Sequence, residues 1–430
     1  MRIFEYNEID EALNLLRRKA EADEGVTAAV RTILRDVERE GDEALFRYTS
    51  RFDGYALNEH NIRVTPDEIR RAYEAVPATL LETLQRSAAN IRVFHEMQKR
   101  QGYVRNLDGA TTGRLVLPVQ RAGVYVPGGK AAYPSSVLMN IIPAKIAGVE
   151  EIVMVTPPGK KGEITPLTLV AADMADADII LRIGGAQAVA ALAYGTKSVP
   201  RVDIIAGPGN AYVAAAKREV YGMVGIDMPA GPSEVLIIAD ECANPAWVAA
   251  DFLSQAEHDE QAASILLTPS RELAQAAEAE ILKQLSALPR QSIAAQSVAS
   301  YGTILITETL EQAFDVANEI APEHLEILTA EPLRYLGRVR SAGAVFLGEY
   351  SPEPLGDYLA GPNHVLPTSG AARFASALSV DSFTRTMNYV YYDEKALKAC
   401  YDDIARFAEA EGLDAHARSA SIRFGREGTP

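Results

Sequence analysis

Ile179–Tyr194, IILRIGGAQAVAALAY, is the stretch whose reading decides the fold. Ile179–Ile183 is a short, mostly apolar run and reads as a buried strand. Gly184 and Gly185 then turn the chain, and Ala186–Tyr194 reads as a helix. The same unit recurs on either side. Gly123–Val126 is a valine-rich strand that enters the turn Tyr125-Val-Pro-Gly-Gly-Lys130 and then an apolar helix, about Ser135–Ala147. Ile152–Thr156 precedes a helix at Pro166–Ala175, and Val202–Ala206 precedes Gly207-Pro-Gly-Asn210 and a further helix. Apolar strands alternating with helices predict a parallel sheet covered on both faces. Ligands in such sheets sit where strands end and helices begin.

A second series follows. Gly231-Pro-Ser-Glu234 is a turn into the strand Val235–Ala239. Asn244 and Pro245 are an N-cap and a first helical residue. That helix carries Gln255, with His258 three residues on, so the two side chains leave one face. The strand Ala262–Leu267, a long exposed helix Glu272–Ala287, the strand Thr303–Ile306 and the helix Thr309–Ile320 complete a second α/β lobe. Residues 1–105 read as mostly helical, with His60 and His95 as surface residues. Arg114–Val119 reads as a short strand, and Glu394–Ala410 as the last helix.

Composition narrows the function. The chain has 430 residues, is 48% hydrophobic and 23% charged, and carries a formal net charge of -16. That suits a folded chain of two or three domains. It disfavours nucleic acid or an anionic membrane as partner. Two cysteines, Cys242 and Cys400, form no metal-type pair and suggest no disulfide scaffold. No signal peptide and no membrane span is read, and a cytoplasmic protein is expected.

The polar residues narrow it further. No G-x-G-x-x-G fingerprint occurs. Gly184-Gly-Ala-Gln187 and Gly207-Pro-Gly-Asn210 are the nearest phosphate-cradling turns, and either is equally readable as a plain βα turn. Of six histidines, four (His258, His324, His364 and His416) fall in the last two-fifths of the chain, near helix ends or in loops. Three of these have an acid within two residues. Histidine with oxygen donors suits zinc or manganese. Pro322 ends a helix, leaving Glu323 and His324 at a junction where both are candidate general bases. Gly356–His364, GDYLAGPNH, reads as a long functional loop carrying Asp357 and His364.

Several separated segments resemble the histidinol dehydrogenase family: VYVPGGKAAYPSSVLMN, IGGAQAVAALAYGT, IAGPGNAYV, DMPAGPSEVLI, SQAEHDEQA, APEHLEI, GDYLAGPNHVLPT and EGLDAHARSASIR. The resemblance runs over nearly the whole chain. It implies two incomplete Rossmann-like lobes with parallel sheets, a small N-terminal helical segment (1–25) and an extended C-terminal helical segment, in a domain-swapped homodimer. Residues 1–110 and 233–375 would form the metal-bearing and catalytic domain, 111–232 the NAD-binding domain, and 376–430 a segment reaching the partner's site. It implies one zinc per subunit, with manganese as an alternative, on Gln255, His258, Asp357 and His416. NAD would meet Tyr125, Gln187 and Asn210. L-histidinol would meet Ser233, His364 and Glu411 besides His324 and the metal ligands. The implied reaction oxidises L-histidinol through histidinal to L-histidine with two NAD, His324 serving as base and Glu323 activating water. The rival readings are a relative acting on another alcohol, a binding protein that has lost its chemistry, and a metal-dependent hydrolase.

Overall fold

Two all-parallel sheets organise the large unit of the chain. The computed structural model describes residues 1–16, 24–128, 132–228 and 231–425. By contacts the chain divides into a large unit, Met1–Lys99 with Val119–Phe383, and a small one, Arg100–Pro118 with Thr384–Pro430.

The first sheet has six strands in the order Arg2–Glu5, Thr303–Ile306, Ala263–Thr268, Glu234–Ala239, His324–Leu328 and Ala344–Leu347. Every neighbouring pair is parallel. The second has five, in the order Ile179–Leu181, Glu151–Val155, Arg121–Tyr125, Ile204–Ala206 and Gly225–Ile226, again all parallel. The central strands of the first sheet, Glu234–Ala239, Ala263–Thr268 and His324–Leu328, are buried at every residue. That is why Val235–Ala239 and Ile265–Leu267 read as continuous apolar runs, whereas His324–Leu328, HLEIL, alternates and buries its His and Glu as well. Helix Pro134–Ala147 is likewise buried on almost all sides and ends on Gly148 at a φ of 91°, a left-handed stop that favours glycine.

Some expectations are corrected. The N-terminus is not helical throughout: Arg2–Glu5 is an edge strand beside Thr303–Ile306. Four residues are too few to display a period. Helix Ile9–Leu16 follows as read, and its expected continuation to Ala20 lies outside the described residues, as does the end of the glycine turn at Gly129 and Lys130. Residues 24–99, expected with the catalytic lobe, pack instead on the second sheet. Val30, Ile33, Leu34 and Leu45 share a core with Val189 and Leu192, and Leu84, Ala88 and Ile91 share one with Leu138 and Ile142. An amphipathic helix displays an apolar stripe but not its partner.

The C-terminal segment is not purely helical either. Thr384–Tyr392 is a nine-residue strand, antiparallel to Ala110–Pro118, which also pairs with Tyr103–Leu107. Arg114–Val119, read as the start of the cofactor lobe, therefore belongs largely to the small unit's three-stranded sheet.

Candidate active site

His324 opens the strand His324–Leu328, and Glu234 opens the strand beside it. The catalytic candidates therefore gather at the amino edge of the first sheet, not the carboxyl edge that the general rule for parallel sheets favours. The reason is local. The first residue of a strand has backbone groups beyond the reach of the ladder. Here Glu323 Oε2 accepts the Glu234 N–H at 2.8 Å. His324 Nδ1 lies 3.0 Å from the Glu234 carbonyl oxygen. A carbonyl only accepts, so Nδ1 carries the hydrogen and Nε2 keeps its lone pair. Nε2 is buried with no hydrogen-bond partner among the described residues.

Around that nitrogen stand acids. Glu353 Oε1 lies 3.7 Å from His324 Nε2, and Glu323 Oε2 lies 3.7 Å from His324 Nδ1. Asp357 Oδ1 sits 3.4 Å from His364 Nδ1, whose Nε2 is 3.3 Å from Ser136 Oγ. Burial pushes His324 down to about 4 and Glu353 up to about 8. Burial also raises Glu323 well above the usual carboxylate range, against the pull of the Glu234 N–H. Burial would raise Asp357 too, but the adjacent His364 and the charges of His324 and His258 outweigh it and hold it below its ordinary value. Groups of like chemistry have thus been driven apart, as proton-transfer sites require.

A cavity of about 590 Å³ opens on these residues, lined by His324, Asp357, Asn363 and His364 among others. The segment carrying Asp357 and His364, expected as a loop, begins as a short helix, Glu353–Tyr358. It is pinned by the helices packed on the second sheet. Ser87 Oγ donates to the Tyr358 carbonyl at 2.6 Å, Asn90 Nδ2 to the Leu359 carbonyl at 2.7 Å and Asn363 Nδ2 to the Met139 carbonyl at 2.6 Å. His95 is not a surface residue: it is fully buried, with Nδ1 2.7 Å from Gln98 Oε1 and Nε2 3.4 Å from Asn363 Nδ2. Its polar sequence neighbours concealed the one helical face that turns inward.

Gln255 lies in the last turn of helix Pro245–Ala256, 1% exposed, and its Oε1 has no partner among the described residues. His258 is exposed just past the helix end, and its charge is felt by both His324 and Asp357. An amide oxygen, imidazole and carboxylate together make a donor set that fits a zinc- or manganese-type cation. Among the described residues, ligand atoms of His324, Glu353 and Asp357 lie within 4.8 Å of one another. Glu353 is a member that sequence reading missed; only its place next to Pro352 at a helix start marks it. Ser233 is half-buried at the entry to strand Glu234–Ala239. Glu411 and His416 lie in the small unit, where with Phe407 and Leu413 they line a recess of about 410 Å³.

The NAD candidates gather at the carboxyl edge of the second sheet. Tyr125 ends its strand, 3% exposed, and its hydroxyl accepts the Gly185 N–H at 3.0 Å; burial raises that hydroxyl to about 12. Gln187, 1% exposed, has no partner among the described residues at either amide atom. Asn210 caps helix Ala211–Val220, its Oδ1 accepting from Tyr212 and Val213 at 3.1 Å each. Only its NH₂ is then left to meet a ligand, which selects an acceptor. An amide that has no partner among the described residues, in the first turn of helix Gly185–Tyr194, suits a phosphate-bearing molecule.

The family model described as "Histidinol dehydrogenase" matches residues 16–424. The chain is 52% identical over 425 residues to the histidinol dehydrogenase of Heliobacterium mobile, covering 99% of both. It is 53% identical over 411 residues to that of Geobacillus kaustophilus, covering 95% of this chain and 96% of the relative. The crystal structure of histidinol dehydrogenase from Elizabethkingia anophelis superposes with a TM-score of 0.93 at 39% identity, covering 99% of this chain and 98% of that one.

Proposed function

The chain belongs to the histidinol dehydrogenase family, an oxidoreductase family of histidine biosynthesis, and from that membership we propose that it oxidises L-histidinol to L-histidine through histidinal, using zinc and two NAD. The observation that carries the reading is His324: a neutral imidazole fixed in one tautomer by the Glu234 carbonyl, with Nε2 free at the cavity.

Gln255, His258 and Asp357 would hold the zinc, together with the partner's His416. When bound, zinc supplies Lewis-acid anchoring of the substrate nitrogens, and NAD accepts the electrons of both oxidations. The chain's own residues handle the protons. His324 Nε2 takes the hydroxyl proton of histidinol, and the neighbouring Asp357, held below its ordinary value, stabilises the imidazolium that forms. The second oxidation adds water to the aldehyde. Glu323 Oε2, raised by burial, is a stronger base than an exposed carboxylate once ionised, and it activates that water. Ser233 and His364, with the partner's Glu411, orient the substrate. Tyr125, Gln187 and Asn210 hold the dinucleotide. A cytoplasmic location belongs to the same reading, and no described helix is long and apolar enough to cross a membrane.

The test is NADH formed per histidinol consumed by the zinc-loaded protein. Two NADH with histidine as product is the expected result. No NADH from histidinol, with metal bound, would overturn the substrate assignment.

Self-association is part of the reading. The small unit exposes Val390 at 71%, Tyr391 at 62% and Phe407 at 73%, an apolar display that suits a second copy. If His416 serves the partner's site, a mixed dimer of His324→Ala and His416→Ala chains contains one intact site. Co-expression of the two inactive variants should therefore restore activity. No restoration would overturn the shared site.

A further inference from the structure

We propose that Lys217 and Asp227 are positioning residues for the dinucleotide, a buried ion pair that holds Gly207 and through it the Gly207–Asn210 turn. The proposal rests on the NAD reading of that turn. Lys217 lies inside helix Ala211–Val220, and Asp227 follows the strand Gly225–Ile226. Their side chains are 3% and 1% exposed and pair directly. Lys217 Nζ donates to the Gly207 carbonyl at 2.9 Å. Asp227 Oδ2 accepts the Gly207 N–H at 2.7 Å, and its Oδ1 accepts the Met228 N–H at 2.6 Å.

A buried pair of this kind is a poor device for stability alone, because desolvating both charges costs as much as or more than a well-packed apolar pair would. What this pair provides is a fixed backbone. Strand Ile204–Ala206 ends one residue before Gly207, so the ladder no longer supplies partners there. The ion pair substitutes for them, satisfying both the N–H and the C=O of one residue, Gly207. Gly207 has a φ of 111°, and a Cβ there would collide with the Tyr125 carbonyl. Gly207 is therefore clamped between Tyr125 on one side and the ion pair on the other. Three residues later Asn210 starts the helix with its NH₂ left for a ligand. Fixing Gly207 fixes where that NH₂ points.

The test uses full-length, zinc-loaded protein. Lys217→Met leaves Asp227 as a lone buried charge and strains the fold. The double variant Lys217→Met/Asp227→Leu removes both charges and is the informative one. Expected is a folded protein whose NAD dissociation constant and KM rise about ten-fold, since two backbone anchors are lost. The KM for histidinol, and kcat at saturating NAD, should hold. Unchanged NAD affinity, or an equal weakening toward histidinol, would overturn the proposal. A wild-type protein that does not bind NAD at all would overturn the cofactor reading itself, and this inference with it. Amide exchange on the unaltered chain gives an independent readout. The Gly207 N–H should be strongly protected without cofactor, and rapid exchange there would refute the brace.

Discussion

The two sheets of the large unit present opposite edges and opposite chemistry. At the amino edge of the six-stranded sheet, Glu323, His324, Glu353 and Asp357 are ionisable, crowded and largely buried. Their proton affinities are forced apart, His324 down to about 4 and Glu353 up to about 8. At the carboxyl edge of the five-stranded sheet the candidate ligand groups are a hydroxyl, two amides and glycine backbone, and the one buried ion pair described there, Lys217 with Asp227, is turned onto the backbone. An edge that moves protons needs groups whose charge can change. An edge that holds a molecule without reacting with it needs donors and acceptors of constant charge.

That contrast breaks if one side chain proves to serve both edges. The largest effect should come from His324→Ala. Loss of a general base costs about 10²–10⁴ in kcat, and here NAD affinity and zinc content should both stay at wild-type values. Activity and metal measured on the same preparation decide it. Metal lost along with activity would make His324 a ligand, as its grouping with Glu353 and Asp357 permits, and would take the base out of the mechanism.

Both edges were only partly legible in the sequence. Most strands were, because burial on both faces leaves an unbroken apolar run such as Ile152–Val155 or Ile265–Leu267. The Glu323–His324 junction was legible because Pro322 ends the preceding helix. The choice of edge was not, since position along a strand shows only once its boundaries are known, and these shift by a residue or two. Glu353 was hidden for a related reason. An acid at the first turn of a helix is usually there for the dipole, so nothing distinguishes one that also faces a catalytic imidazole. His95 shows the limit for helices: polar neighbours at Glu96, Gln98 and Lys99 masked a side chain that the fold buries completely.

The smaller prediction sharpens the other side of the contrast. Gln187 buries an amide with no partner among the described residues at either atom, resting over Gly185 at a helix start. Burying a polar group unpaired costs about 1–3 kcal/mol in proteins. Gln187→Leu removes that cost at similar volume, so the cofactor-free protein should gain about 1–2 kcal/mol of stability. The same change should raise the KM for NAD about ten-fold and leave histidinol binding alone. Opposite signs in stability and affinity are the signature of a residue kept for a ligand at the expense of the fold. Thermal unfolding without NAD, paired with NAD titration, reads both signs. A variant that loses stability would mean that the amide is satisfied within the fold, and the carboxyl edge would then need another group to recognise the dinucleotide.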